Sequence, residues 1–125
     1  MITNDTIWSE MQTPISVTTE TTTISLQDGI SLYKLNIGST DTEVDFSTTA
    51  LSQALAGGGL NVIRFEVIVS MGSTVQTIEF PENVTWIDNI PPTMNAANKD
   101  YLILFTSYDG GQSWYGAPEG SWNNA

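Results

Sequence analysis

Apolar and polar residues alternate with a period of two through most of this chain, and that alternation decides what it can fold into. In "LNVIRFEVIVS", Ile63, Phe65, Val67 and Val69 point one way while Arg64, Glu66 and Ser70 point the other, the pattern of a half-buried strand. "TTISLQ" sets Ile24 and Leu26 against Thr23, Ser25 and Gln27, and "DTEVDFS" sets Val44 and Phe46 against Asp41, Glu43 and Asp45. Gly, Pro and Asn interrupt these segments at short intervals. "QDG" before "ISLYKLNIG" predicts a hairpin joining the strands on either side. One segment departs from the alternation. "STTALSQALAGGG" places Ala50, Leu51, Ala54 and Leu55 at helical spacing, with Ser47 or Thr48 as cap and Gly57, Gly58 and Gly59 as stop. The expected fold is therefore all-β: an antiparallel β-sandwich of jelly-roll type with one short connector helix. No internal repeat stands out.

Residues 1–21 are Thr-rich, with Pro14 and few large apolar groups. Such a segment loses more entropy on ordering than its own burial returns, unless another surface receives it. It is expected as an extended anchoring arm whose docking residues are Ile7, Trp8, Met11, Ile15 and Val17; the sandwich domain is expected over 22–125.

The strand "YLILF" is apolar on both faces, with Tyr101, Ile103 and Phe105 on one side and Leu102 and Leu104 on the other. A two-layer sandwich covers only one face of a sheet, so the second face calls for a further cover. The segment Tyr101, Leu102, Ile103, Leu104 and Phe105 is therefore expected at a subunit interface.

The chain carries 14 acidic and three basic residues, a net charge of −11. That surface repels phosphate backbones and anionic lipid, which argues against nucleic-acid binding, and no apolar run is long enough for membrane insertion. The N-terminal stretch lacks the basic and apolar regions of a secretory signal. Histidine and cysteine are absent, which removes the commonest general base, the most reactive nucleophile and the usual zinc ligands, so no cofactor and no catalytic set are expected. Asp88, Asp100, Asp109 and Glu119 are the acids from which a glycosidase pair would be drawn. The ladder of Asp41, Glu43 and Asp45 reads as a solvated face rather than a calcium site, because calcium needs oxygens that converge.

Six large rings, among them Trp86, Tyr101 and Tyr108, gather in the last third. Rings beside Asp and Asn suit stacking against a sugar, and they equally suit packing within a sheet. In "SYDGGQSWYG" the Asp-Gly-Gly run makes a turn, and Trp114 and Tyr115 fasten it to its neighbours; Trp114, Tyr115 and Trp122 are also the candidate glycan-binding residues.

"TIEFPENVTWIDNIPPTM" followed by "KDYLILFTSYDGGQSWYG" resembles a β-module of bacteriophage fibre and virion-surface proteins. The pattern is a strand ending in Phe80-Pro81, a short strand with Asn83-Val84 and Trp86, a loop with Pro92, the apolar strand Tyr101–Phe105, a turn at Asp109–Gly111, and Trp114–Gly116. It covers about residues 60 to 116, and "DNIPPT" departs from the family's usual loop. The resemblance implies a non-enzymatic virion structural protein, a head-fibre or capsid-decoration protein, assembled in a host cytoplasm. It would be a homotrimer, docked through its arm to a capsid or other virion protein. A minimal tail-fibre tip, an adhesion module recognising host surface glycans, is the alternative.

Overall fold

A computed structural model of the protein describes residues 10–52 and 62–125. Among the described residues the alternating segments form ten strands: β1 (Glu10–Met11), β2 (Ile15–Val17), β3 (Thr21–Ser25), β4 (Ile30–Ile37), β5 (Thr42–Ser47), β6 (Ile63–Ser70), β7 (Ile78–Glu79), β8 (Val84–Trp86), β9 (Lys99–Ser107) and β10 (Trp114–Asn123). The all-β expectation holds. The strands make a seven-stranded sheet ordered β1-β4-β6-β9-β10-β8, with β2 also on β4, and a three-stranded sheet ordered β3-β5-β7.

The pairing is mixed rather than antiparallel. Only β6–β9 and β9–β10 are antiparallel; β1–β4, β2–β4, β4–β6, β3–β5, β5–β7 and β8–β10 are parallel. The jelly-roll expectation rested on antiparallel pairing throughout. From β2 to β7 the chain instead steps alternately between the two sheets, and each strand lies parallel to the one two steps earlier. The result is three stacked rungs of a β-roll. Their register sets Ile15 opposite Leu35 and Leu35 opposite Val69 in the large sheet, and Thr21 opposite Glu43 and Glu43 opposite Glu79 in the small one.

The expected hairpin at Gln27-Asp28-Gly29 is accordingly an arch. Gly29, at φ +82°, turns the chain, but the turn delivers β4 to the opposite sheet from β3. Ile24 and Leu26 then share one core with Tyr33 and Leu35 across the two layers, where a hairpin would have set them side by side in one layer. Tyr33 clamps the arch. Its hydroxyl accepts the Gln27 N–H at 2.9 Å and donates to the Ile30 carbonyl at 3.3 Å, while burial raises its pKa.

Close stacking of rungs explains a repeat that alternation hides. "NIGST" (Asn36–Thr40) and "SMGST" (Ser70–Thr74) occupy equivalent corners of successive rungs. A Cβ on Gly38 would lie 2.9 Å from the Val17 carbonyl oxygen, and one on Gly72 would lie 3.2 Å from that of Ile37. Each glycine thus lets one corner approach the backbone of the rung before it.

Over Glu10–Val17 the structure differs from a free arm. Both short strands hydrogen-bond along β4, and Val17 is buried in the core. The backbone pairing, joined to one buried side chain, compensates the ordering entropy that composition alone could not. Met11 remains exposed and Ile15 is partly buried against the core; Ile7 and Trp8 lie outside the described residues. Where a helix was expected to begin, Ser47 is the last residue of β5, and Thr48–Leu51 form one turn closed by the Leu51 N–H on the Thr48 carbonyl. Ala54, Leu55 and the three glycines at 57–59 lie outside the described residues.

Between the sheets sits an aromatic core. Phe65 and Phe105 stack at 5.5 Å, and Trp114 meets Phe65 and Phe46 edge-on, each at 5.3 Å. Such pairs add about 0.5–1.5 kcal/mol each beyond their area burial.

Candidate functional site

Alternation along β9 sends Tyr101, Ile103 and Phe105 into this core, which corrects their assignment to a subunit interface. A residue with neither face free cannot meet a partner. Leu102 and Leu104 point outward, partly exposed. Register places them in two cross-sheet rows on the outer face: Lys34, Ile68 and Leu102, then Leu32, Glu66, Leu104 and Ala117. A third row brings Arg64, Thr106, Tyr115 and Thr85 together.

The candidate glycan residues part company. Trp114 is 2 % exposed, at the centre of the core, so it cannot stack on a sugar. It begins β10 facing inward, and its ring fills the space beside Phe46 and Phe65. Tyr115, one residue later, is 54 % exposed. Trp122 is 45 % exposed on the same face, but it pairs with Asp100 whereas Tyr115 pairs with Thr106. Six positions along a strand separate them by ~20 Å, so no single ligand ring touches both.

What the fold does bring to Tyr115 is Tyr108. Their ring centroids lie 5.8 Å apart at 58°, and Tyr108 is also 54 % exposed. The two rings flank a groove of about 400 Å³ lined by Thr85, Trp86, Ile87, Leu104, Thr106, Gly116 and Ala117. The hairpin between β9 and β10 holds Tyr108 in place. Asp109 Oδ1 accepts the Ser107 hydroxyl at 2.8 Å and the Gln112 and Ser113 N–H groups at 3.0 Å each. Its Oδ2 accepts the Ser113 hydroxyl at 2.6 Å, and Ser107 Oγ in turn accepts the Gly111 N–H at 2.8 Å. Hydrogen bonds from the Ser113 hydroxyl and N–H, then from Ser107, hold the Asp109 carboxyl down to about 2. Gly110 (φ +74°) and Gly111 (φ +96°) supply the left-handed backbone this loop needs. On the far wall, Trp86 packs so closely on β10 that a Cβ at Gly116 would meet its ring at 2.5 Å.

The acids expected for a glycosidase pair occupy separate surroundings. Asp88 lies in a 3-10 turn over Ile87–Asn89, Asp100 is buried and accepts Asn124 Nδ2 at 2.9 Å, and Asp109 is committed to its loop. Glu119 is the unpaired residue of a bulge in β10, and its carboxyl partner is Glu66 on the outer face. The hydrogen bond between them, then partial burial and the Glu119 charge, push Glu66 up to about 7. On the small sheet, Glu20, Asp41, Glu43 and Glu79 rim a wide depression of about 750 Å³, and Asp41 accepts the Thr77 N–H at 2.8 Å. Glu43 and Asp45 lie exposed along β5, and no group of three or more acids among the described residues is placed to hold a metal ion.

The meeting of Tyr108 with Tyr115, that of Glu66 with Glu119 and the groove itself escape a reading of single segments, because each depends on cross-strand register. The parity of Tyr115 against Trp114 was a usable signal: neighbours on a strand face opposite ways, so only one of the two is available to a ligand.

Comparison with known proteins returns no match: no family model, no curated protein and no solved structure is similar to this chain.

Proposed function

We propose that this protein is a non-enzymatic structural component of a bacteriophage particle, a head-fibre or capsid-decoration protein. It self-associates as a homotrimer through the outer face of its large sheet. It docks to a capsid or other virion protein through its N-terminal residues. The observation that carries the reading is the outer-face patch of Leu32, Ile68, Leu102 and Leu104, partly exposed and spread over three adjacent strands at the middle of a seven-stranded sheet, with Lys34 and Glu66 between them. Burying apolar area of this kind against a second copy contributes roughly 25 cal/mol per Å². The resemblance of residues 60–116 to fibre and virion-surface modules supports the same reading, as does Met11, exposed on the strand β1 that pairs with β4.

Light scattering at micromolar concentration tests the assembly. A trimer mass that falls to a monomer in Leu102→Lys is expected; a monomer from the unaltered chain overturns it. Mass spectrometry of purified particles of the phage encoding this chain tests the location, and particles without it end the virion reading.

A further inference from the structure

We propose that the Tyr108–Tyr115 groove is a binding site for a neutral pyranose sugar. The inference does not depend on the virion reading. Its volume, about 400 Å³, lies at the small end of ligand sites, fitting one or two rings rather than an extended chain. Among the described residues no acidic or basic residue lines it, so an uncharged occupant is the electrostatic match. The walls are amphipathic in the way a pyranose is. Leu104 and the two tyrosine rings offer apolar surface to the C–H face of a sugar, and Thr85, Thr106 and the phenol groups offer hydroxyls to its rim. Thr106 Oγ1 already accepts Arg64 Nε at 3.4 Å, which orients its hydrogen outward from that bond.

The groove is also pre-organised. Tyr115 is fixed by pairing to Thr106 on one side and Thr85 on the other, and Tyr108 follows Ser107, whose hydroxyl anchors the Asp109 loop. Little backbone freedom at either ring is left to lose on binding, which favours even a small ligand.

Nuclear magnetic resonance titration of the full chain tests this, using methyl glucoside, methyl galactoside and their β- and α-linked disaccharides as probes, with sorbitol as the acyclic control. Shifts at the amides of Thr85, Thr106, Tyr108 and Tyr115 with a cyclic sugar and not with sorbitol are expected. Tyr115→Ala should weaken that response about tenfold, the loss of one stacking surface, while Tyr115→Phe keeps most of it. Near-ultraviolet circular dichroism confirms that Trp114 stays packed in both variants. Silence at these four amides with every sugar overturns the proposal, as does a response unchanged in Tyr115→Ala. A proline-rich peptide that shifts them where sugars do not also overturns it.

Discussion

Two residues on the large sheet have consequences out of proportion to their size. Glu66 shares a hydrogen bond with Glu119 and is raised from about 4.5 to about 7. Its deprotonation is therefore harder in the folded chain than in the unfolded one. The stability tied to its protonated form is fully present below about 4.5 and is lost as pH rises through about 7. Urea unfolding across that window is expected to show stability falling with pH, and Glu66→Gln is expected to flatten the slope. A slope unchanged in the variant would remove the pair from the account. Gly116 matters for what it lacks. Adding a methyl drives it into the Trp86 ring at 2.5 Å and toward Val84 Cγ1 at 3.0 Å. Gly116→Ala should cost about 1–3 kcal/mol by overpacking, measured by denaturant midpoint, and should disturb the groove wall that Trp86 forms.

At the scale of elements, the rung corners and the β9–β10 hairpin use glycine for different reasons. Gly110 and Gly111 are there for positive φ, whereas Gly38 and Gly72 are there for close approach to a neighbouring carbonyl. Gly38→Ala is expected to cost about 1–2 kcal/mol, because backbone cannot yield as a flexible side chain can. Gly72→Ala, at 3.2 Å rather than 2.9 Å, should cost less. Thermal unfolding of the two variants side by side checks the order. The same elements show what was legible. The strands themselves follow from alternation, and β6 and β9 appear almost as the residues foretell. The hairpin at Gly29 does not, because a period of two says which way side chains point but not which strand lies alongside. The repeated Gly-Ser-Thr at 38–40 and 72–74 was the available clue to stacked rungs.

For the molecule as a whole, charge opposes the association proposed for it. Copies carrying −11 each repel, and that repulsion is screened over about 8–10 Å at physiological salt. All three basic residues lie on strands of the large sheet, whose outer face is the proposed contact, while the small sheet bears Glu43, Asp45 and Glu79 unopposed on its exposed side. The oligomer fraction should therefore rise when salt is raised from low to physiological strength, as sedimentation velocity would show. A fraction that falls with salt would point to an interface held by ion pairs instead.

Composition and alternation by themselves determined an all-β chain with inward faces at Ile24, Val44, Phe65 and Phe105, since burying one face of each strand is the only way such a pattern escapes water. They determined too that Trp114 and Tyr115 must face opposite ways. Which of the two reaches solvent, which tyrosine stands beside it, and which strand neighbours which were decided only in the folded chain. Those are matters of register between segments far apart in sequence, and register is settled by the packing of the two layers together, an energy that no single segment contains.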